Sequence, residues 1–232
     1  RELGTKADPA RDEIYLEGHG IISAQPKVYI ALHKPPKVMS TNKDPEGRQT
    51  VLDLIERSRA AGHRQFEGEL PRVFPVGRLD WDAEGLLLMT NDGELANRLI
   101  HPRHHVPKVY AVKVRGKPTA DSLDRLRAGV RLRNDDGSWG GKTLPSEVEI
   151  TKEGRSNTWL ELTLFEGKNH QVKRMCDSIG HPVSRLIRID FGGISLEPLL
   201  SGAWRFLDAG EVESLRAWGT TSADLRRKKR KT

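Results

Sequence analysis

The sequence predicts an α+β fold, in which helices pack on a mainly antiparallel or mixed sheet. The first observation is a hairpin pattern, because segments 147–151 and 158–165 alternate apolar and polar residues and a Gly-Arg-Ser-Asn turn at 154–157 joins them. The second is that helical segments lie irregularly between the strand segments instead of alternating with them. That order disfavours a doubly wound parallel sheet.

In the N-terminal half, elements are recognised by apolar spacing and by the residues that end them. After a strand-like piece at 13–16, an alternating strand at 27–32 stops at Lys34-Pro35-Pro36, since proline disfavours regular structure before it. Apolar residues on one face predict a short helix at 50–57, followed by a loop at 59–70. The apolar run 86–89 is typical of a buried strand, and the turn Asn91-Asp92-Gly93 leads into a helix at 94–100.

The C-terminal half continues with alternating strands and capped helices. A strand at 109–114 precedes a helix at 119–128, which Gly129 closes in a position favoured for a left-handed cap. After the hairpin, the apolar stripe Val172, Met175, Cys176 and Ile179 marks a helix that ends at Gly180. Segment 185–191 predicts a further strand.

The composition bounds the class of protein. No apolar run approaches the roughly 20 residues of a membrane helix, and no signal peptide is visible, so no membrane association is expected. A single cysteine excludes an internal disulfide framework and suits a reducing cytoplasm. We therefore expect a cytoplasmic protein.

The net charge of +7 is unevenly distributed. The terminal run 226–231 holds six of the positive charges. Segment 101–117 has five Lys or Arg and no acid, and segment 167–189 has five against one Asp, so the rest of the chain is acidic. Basic segments on an acidic body are the expected footprint of a protein that docks on phosphates, although a solvated charged surface gives the same pattern.

Three segments imitate other kinds of site. Residues 137–143 resemble a phosphate-binding loop, but Asp136 stands where the first glycine belongs and Pro145 blocks the helix that such a loop requires. His101, His104 and His105 have no Cys or acid near them in sequence, which favours phosphate or solvent contact over a metal site. Cys176 lies on an apolar stripe and is interpreted as a core residue.

The remaining candidate is Gly77-Arg78-Leu79-Asp80. An Asp in a loop before a strand is usually a turn or capping residue. Here it follows an arginine and precedes a buried strand, and catalytic groups are expected on loops held by such scaffolds.

Four segments resemble the Rsu/Rlu family of bacterial rRNA pseudouridine synthases. Segment 76–93, VGRLDWDAEGLLLMTNDG, is similar to the central motif of that family, and 29–54 is similar to its entry segment. HPRHHVPKVYAV at 101–112 and EGKNHQVKRM at 166–175 are similar to its second and third signatures. The resemblance implies a catalytic domain with a central active-site cleft, converting uridine to pseudouridine in ribosomal RNA without a cofactor or metal.

The resemblance also implies site residues. Asp80 corresponds to the catalytic carboxylate, Tyr110 to the tyrosine of the second signature, and Lys173 to the basic residue that pairs with the carboxylate. The resemblance places Leu186 against the base. From charge and position, the expected RNA contacts are Arg78, Lys108, Lys168, His170 and Arg174. Without the resemblance, a surface ion pair with Asp177 is the favoured interpretation of Lys173.

Domain boundaries and partners follow from the same comparison. We expect residues 1–25 to be the remnant of a small S4-like RNA-binding domain, 26–217 to be the catalytic domain, and 218–232 to be a disordered basic tail. A truncated chain is implied, because most of the S4-like domain is missing. The expected partner is rRNA or a ribosomal-subunit assembly intermediate, with large-subunit rRNA favoured over small-subunit rRNA. We expect the protein to be a monomer that needs no nucleotide cofactor. The alternative is a non-catalytic rRNA-binding ribosome-assembly factor, which explains the charge equally well.

Overall fold

The computed structural model describes residues 14–16, 20–22, 25–60, 70–133 and 137–219. A nine-stranded mixed sheet with helices packed on it forms the body, which confirms the predicted α+β class. The strands are β1 (Ile14–Leu16), β2 (Gly20–Ile22), β3 (Tyr29–Lys34), β4 (Phe74–Pro75), β5 (Glu84–Thr90), β6 (Lys108–Arg115), β7 (Arg131–Arg133), β8 (Trp139–Lys142), β9 (Glu147–Glu153), β10 (Asn157–Leu164), β11 (Val183–Phe191), β12 (Ile194–Ser195) and β13 (Trp204–Phe206). The helices are α1 (Val51–Ala60), α2 (Gly93–Ile100), α3 (Ala120–Ala128), α4 (Gln171–Ser178) and α5 (Ala209–Ala217).

The strand order is β13-β3-β5-β11-β6-β10-β9, with β4 added to β5 and β12 added to β11. Strand pairs within the described ranges are antiparallel except β5 and β11, which run parallel. Two small ribbons, β1–β2 and β7–β8, stand apart from this sheet. The parallel pair joins the strand that follows Asp80 to the strand that carries Leu186, so it fixes two of the predicted site segments side by side.

Two apolar clusters cover the two faces of the sheet. Strand β5 contributes to both, because successive side chains of a strand point to opposite faces. Leu87 and Met89 belong to the larger cluster, and Leu86 and Leu88 to the smaller one. The predicted stripe of α4 packs in the larger cluster, with Met175 and Cys176 fully buried.

The predicted helices end where the sequence supplies caps. The Asp92 carboxylate accepts a hydrogen bond from the Leu95 backbone N–H at the start of α2, and Thr119 caps α3 in the same way. Gly129 ends α3 with a positive φ of 83°, but its ψ of 149° is extended and not that of the expected left-handed cap. The backbone of Thr143 approaches Gly129 so closely that a Cβ would overlap it, which explains the glycine.

Several boundaries differ from the prediction. Strand β3 covers Tyr29–Lys34 and not 27–32, because its hydrogen bonds to β5 continue to Lys34. Helix α1 continues to Ala60, so the predicted loop at 59–70 begins later, and residues 61–69 lie outside the described residues. Strands β2, β4, β7, β8, β12 and β13 and helix α5 were not predicted from the sequence.

The predicted terminal segments are described only in part. Of the expected S4-like remnant at 1–25, the structure describes the β1–β2 hairpin and Gln25. From residue 220 onward the expected basic tail lies outside the described residues. Trp218, where that tail was expected to begin, donates its indole N–H to the carbonyl of Gly192 at 3.0 Å. No helix within the described ranges combines the length and hydrophobicity needed to cross a bilayer.

Candidate active site

A cavity of about 490 Å³ opens where the Asp80 loop, the 166–170 loop and strands β6 and β11 meet. Its lining contains seven of the nine predicted site residues, and Tyr110 and Leu186 form part of its wall. The other two, Lys173 and Arg174, lie on α4 outside the lining. The two cavity-lining loops follow β4 and β10, so each one leaves the sheet at a fixed point. The residues of the second and third signatures, distant in sequence from Asp80, therefore converge on it.

The loop that carries Asp80 is held by backbone hydrogen bonds to the entry segment. The Ser40 hydroxyl donates to the carbonyl of Leu79 at 2.9 Å and accepts from the Leu79 N–H at 3.1 Å. The Lys37 N–H donates to the Trp81 carbonyl, and the Ala83 N–H closes a turn onto the Asp80 carbonyl. Because its backbone groups are paired on both sides of Asp80, the loop presents the carboxylate in a defined position.

The buried side chain of Lys34 anchors the end of the same loop. Its side chain is fully buried, and its ammonium donates to the carbonyls of Ala83 at 2.7 Å and Pro35 at 3.0 Å. Burial lowers the pKa of Lys34 to about 8, while the negative charges of Asp80, Asp82 and Glu84 oppose that shift. In the sequence, a lysine before two prolines is typical of an exposed strand end, so no local pattern predicted that Lys34 is buried and holds this loop.

Two basic side chains of the third signature face Asp80. The Lys173 ammonium lies 3.4 Å from one carboxylate oxygen, and the His170 Nε2 lies 3.6 Å from the other. Lys173 makes a shorter contact, 2.6 Å, with Asp82, and this hydrogen bond is the main reason that the pKa of Asp82 is lowered. The alternative ion pair between Lys173 and Asp177 is not present among the described residues.

The 166–170 loop is internally braced. The buried Gln171 amide accepts from the Lys168 N–H at 2.8 Å and donates to Glu166 at 2.9 Å, and Glu166 also accepts from the Leu144 N–H. His170 has a left-handed backbone, with φ 48°, directly before α4. A non-glycine residue in this region is strained, and such strain is found preferentially at functional sites. The bracing holds His170 where its ring reaches Asp80.

Tyr110 and Leu186 give the cavity an apolar wall. Strands β6 and β11 pair with Leu186 opposite Val112 and Arg188 opposite Tyr110, and both Tyr110 and Leu186 belong to the larger apolar cluster. Tyr110 is nearly buried. A flat ring and an aliphatic side chain near a carboxylate suit an aromatic base between them.

Two further cations lie deep in the cavity. Lys108 was expected to contact RNA from the surface, but its ammonium is turned inward, donating to the Val106 carbonyl and lying 5.3 Å from the Phe191 ring centre. Burial lowers its pKa to about 8, with a further contribution from the nearby Arg188. Arg188, which is not among the predicted site residues, is buried, donates to the Leu86 carbonyl at 2.7 Å and has one terminal nitrogen without a hydrogen-bond partner among the described residues. Because Arg188 lies in a segment of alternating residues, the sequence does not indicate that its side chain is buried in the cavity.

Of the other expected RNA contacts, Arg78 and Lys168 line the cavity and Arg174 does not. Arg78 is exposed, and no described residue pairs with its guanidinium. Lys168 pairs with Glu166 at 3.1 Å and donates to the Lys142 carbonyl. Arg174 donates to the carbonyls of Arg133 and Asn169, and so braces α4 against β7. These contacts leave Arg78 as the rim cation most free to meet a phosphate.

The described residues offer no competing chemistry at this site. They contain no group of three or more His, Cys, Asp and Glu side chains that could hold a metal ion. Burial raises the pKa of Cys176 to about 12, which makes a thiolate nucleophile unfavourable. The segment that imitates a phosphate-binding loop contains strand β8 and leads into no helix. What remains is a carboxylate between two basic groups, beside an apolar slot.

Comparison with known proteins gives a consistent result. The family described as RNA pseudouridylate synthase matches residues 28–178. An RNA pseudouridine synthase of Aquifex aeolicus (strain VF5) is 41% identical over 217 residues, covering 93% of this chain and 80% of that protein. The ribosomal large subunit pseudouridine synthase B of Bacillus subtilis (strain 168) is 38% identical over 218 residues, covering 93% and 82%. A crystal structure of a pseudouridylate synthase superposes with a TM-score of 0.69 at 29% identity, over 91% of this chain and 83% of that one.

Proposed function

The chain belongs to the RNA pseudouridylate synthase family and is a pseudouridine synthase, and from this premise we propose that Asp80, Tyr110 and Lys173 carry out the isomerisation of a uridine in ribosomal RNA. The observation that carries the assignment is the Asp80 carboxylate, held by backbone contacts within 3.4 Å of Lys173 and 3.6 Å of His170 in a cavity walled by Tyr110. The name of the Bacillus subtilis relative favours large-subunit rRNA as the substrate.

The reaction breaks the N1–C1′ bond of the nucleoside, rotates the base and forms a C5–C1′ bond. Overall, the proton on C5 is lost and N1 gains one, so no oxidant or reductant is consumed. Asp80 either attacks the nucleoside or removes a proton from the ribose, and each route needs the carboxylate. Lys173 stabilises that negative charge through Coulomb attraction at short range. A uridine can reach Asp80 only when it is flipped out or already unpaired.

Tyr110 and Leu186 would hold the base during its rotation. The ring of Tyr110 can stack on uracil, and its hydroxyl can take part in moving the C5 proton. Arg78 at the rim would bind a phosphate next to the flipped nucleotide. Lys108, Lys168 and Arg174 add positive charge around the cavity, and His170 adds a hydrogen-bonding ring, which favours RNA without selecting a sequence.

The test is to map pseudouridine at single-nucleotide resolution in both ribosomal RNAs. Cells that lack the endogenous enzyme would express the wild-type chain, Asp80→Asn, or Asp177→Asn. Asp177 is an exposed carboxylate on the same helix as Lys173, so its substitution matches the chemistry of the first one without touching the cavity. We expect one site, in large-subunit rRNA, that forms with wild type and Asp177→Asn and is lost with Asp80→Asn.

Two other results would contradict parts of the proposal. A site in small-subunit rRNA would overturn the substrate and keep the mechanism. Binding of rRNA without any Asp80-dependent pseudouridine would favour a non-catalytic assembly factor instead.

A further inference from the structure

The β7–β8 ribbon has one buried and one exposed face. On the buried face, Leu132 packs in the larger apolar cluster at 1% exposure. The exposed face follows from the register, because Arg131 pairs with Lys142 and Arg133 pairs with Trp139. Side chains directly opposite each other in a strand pair share a face. An indole and three cations therefore project together from this ribbon.

Trp139 is the most exposed aromatic side chain of the described residues, at 65%. By contrast, Trp204 is 5% exposed and serves the core. Beside Trp139 lies a second cavity, of about 500 Å³, formed where α3 and α4 end. Its lining includes Arg125, Gly129, Arg131 and Ser178. Because the Trp139 indole is exposed beside an open cavity, its contribution to the apolar core does not explain its presence.

The cations of this surface have no carboxylate partner among the described residues. Arg131 and Lys142 make no side-chain contact there, and Arg125 donates only to the Ser178 carbonyl. Arg127 on the same helix α3 is paired, by contrast, with Asp124 at 2.7 Å. The described part of the ribbon contains three cations, and the two acids of the segment between its strands, Asp135 and Asp136, lie outside the described residues. Cations without a carboxylate contact beside an exposed aromatic ring suit a polyanion better than an apolar protein surface.

The ribbon is physically continuous with the active site. Lys168 of the cavity loop donates to the Lys142 carbonyl at 3.0 Å, and Arg174 donates to the Arg133 carbonyl at 2.7 Å. Arg174 is the neighbour of Lys173, which contacts Asp80. Helix α4 therefore has Asp80 on one side and the second cavity at its C-terminal end, so the active site and the ribbon share this helix.

We propose that the β7–β8 ribbon is a second RNA-binding site, where an unpaired base flanking the target uridine stacks on Trp139 and its phosphates contact Arg131 and Lys142. This inference rests on the proposed function, since it takes the occupant to be the same RNA. A uridine that enters the active site lies in an unpaired or opened segment, so its neighbours have free base faces. Stacking on an aromatic side chain and phosphate contact to nearby cations is the usual mode of binding single strands.

The test measures binding to a fluorescein-labelled 12-nucleotide oligouridine by anisotropy, with the whole chain. Trp139→Ala should weaken binding about tenfold, the order expected for loss of one stacked base. Trp139→Phe should retain most of the affinity, because a phenyl ring still stacks. Leu200→Ala, which removes another exposed apolar side chain at 79% exposure, is the matched control and should bind as wild type does.

Salt dependence separates phosphate contact from stacking. Arg131→Ala should lower the slope of log K against log salt by about 0.7, the value for one phosphate contact on a single strand. Arg155→Ala is the matched control, because Arg155 is exposed on the β9–β10 turn at the far end of β10 from the active-site loop. Trp139→Ala should leave that slope unchanged.

The proposal is overturned if Trp139→Ala binds the oligouridine within twofold of wild type. It is also overturned if the variant instead abolishes a concentration-dependent association of the chain with itself in sedimentation, which would make the ribbon a protein interface. Binding of oligouridine requires no chemistry. If no Asp80-dependent pseudouridine forms, the proposed function is therefore wrong, but the binding measurements on the Trp139 variants still test the proposed site.

Discussion

At the scale of single residues, Lys173 contacts two carboxylates, and these two contacts have different roles. Its ammonium is nearer to Asp82 than to Asp80, at 2.6 against 3.4 Å. Asp82 is the more exposed of the two carboxylates, so solvent screens its pair with Lys173 more strongly. We infer that Asp82 orients the Lys173 side chain, while the positive charge of Lys173 stabilises the less exposed Asp80 carboxylate.

This division leads to a prediction for Lys173. Lys173→Met should lower kcat for pseudouridine formation about 100-fold, the order expected when a charge partner is lost in a partly buried site. Lys173→Arg should keep a measurable part of the rate because the cation remains. Single-turnover assays on rRNA would measure both, with Lys152→Met, an exposed lysine of β9, as the control. A Lys173→Met rate within threefold of wild type would contradict the assignment.

Lys34 makes a prediction about stability. Its pKa is about 8 in the folded chain against an ordinary value of 10.5, so the unfolded chain binds more protons between those values. The free energy of unfolding therefore gains a term that increases with pH in that window, by about 1–2 kcal/mol between pH 8 and 9.5. Urea titrations of wild type and Lys34→Met at the two pH values should show that term in wild type only. Equal pH dependence in the two chains would show that Lys34 titrates normally.

At the scale of elements, the parallel pair of β5 and β11 joins the Asp80 loop to the strand of Leu186. Gly85 lies at this crossing with a φ of 114°, and a Cβ there would overlap the backbone of Arg188. Only glycine combines that backbone conformation with so close an approach.

Gly85→Ala should therefore lower the free energy of unfolding by about 3 kcal/mol or more, from backbone strain and overpacking together. The folded fraction should also lose activity, because the β5 start that follows Asp80 is displaced. Gly141→Ala is a suitable control, since a Cβ there meets no atom within 4 Å. Urea midpoints that agree within error for Gly85→Ala and wild type would contradict the packing argument.

Elements were predictable where a local pattern decided them. The run 86–89 is buried on both faces and needs no context to read as a strand. Strand β8, reading WGGK, has neither alternation nor β-forming residues at most positions, and it exists because β7 pairs with it. Helix α5 begins at a capping box formed by Asp208 and Glu211, a local pattern that the sequence itself contains.

At the scale of the whole molecule, both apolar clusters reach the cavity, but not every residue of the smaller one lines it. The larger one contains Tyr110, Leu186 and the buried stripe of α4, and so supports the active site. The smaller one includes Leu215 of α5, at 1% exposure, which lies against Gly192 and does not line the cavity. Stability and catalysis are therefore partly separable.

Leu215→Ala tests that separation. It should lower the free energy of unfolding by about 2–4 kcal/mol, as for other buried leucines, while kcat of the folded enzyme stays unchanged. Leu200→Ala, at 79% exposure, should change stability by less than about 0.5 kcal/mol. Denaturation midpoints and rates on rRNA below the transition would measure both quantities. A large fall in kcat would show that the two clusters are coupled.

The sequence by itself determined the α+β class and the family, and it predicts Asp80, Tyr110 and Lys173 as site residues, because these depend on short segments whose pattern is local. Only the tertiary structure decided that Asp82 and His170 join Asp80, that Lys34 is buried beneath the loop, and that Lys108 and Arg188 face into the cavity. Charge along a chain gives no direction for a side chain. Direction comes from strand register and from which carbonyls remain to be paired in the core, and both are set by contacts between residues far apart in sequence.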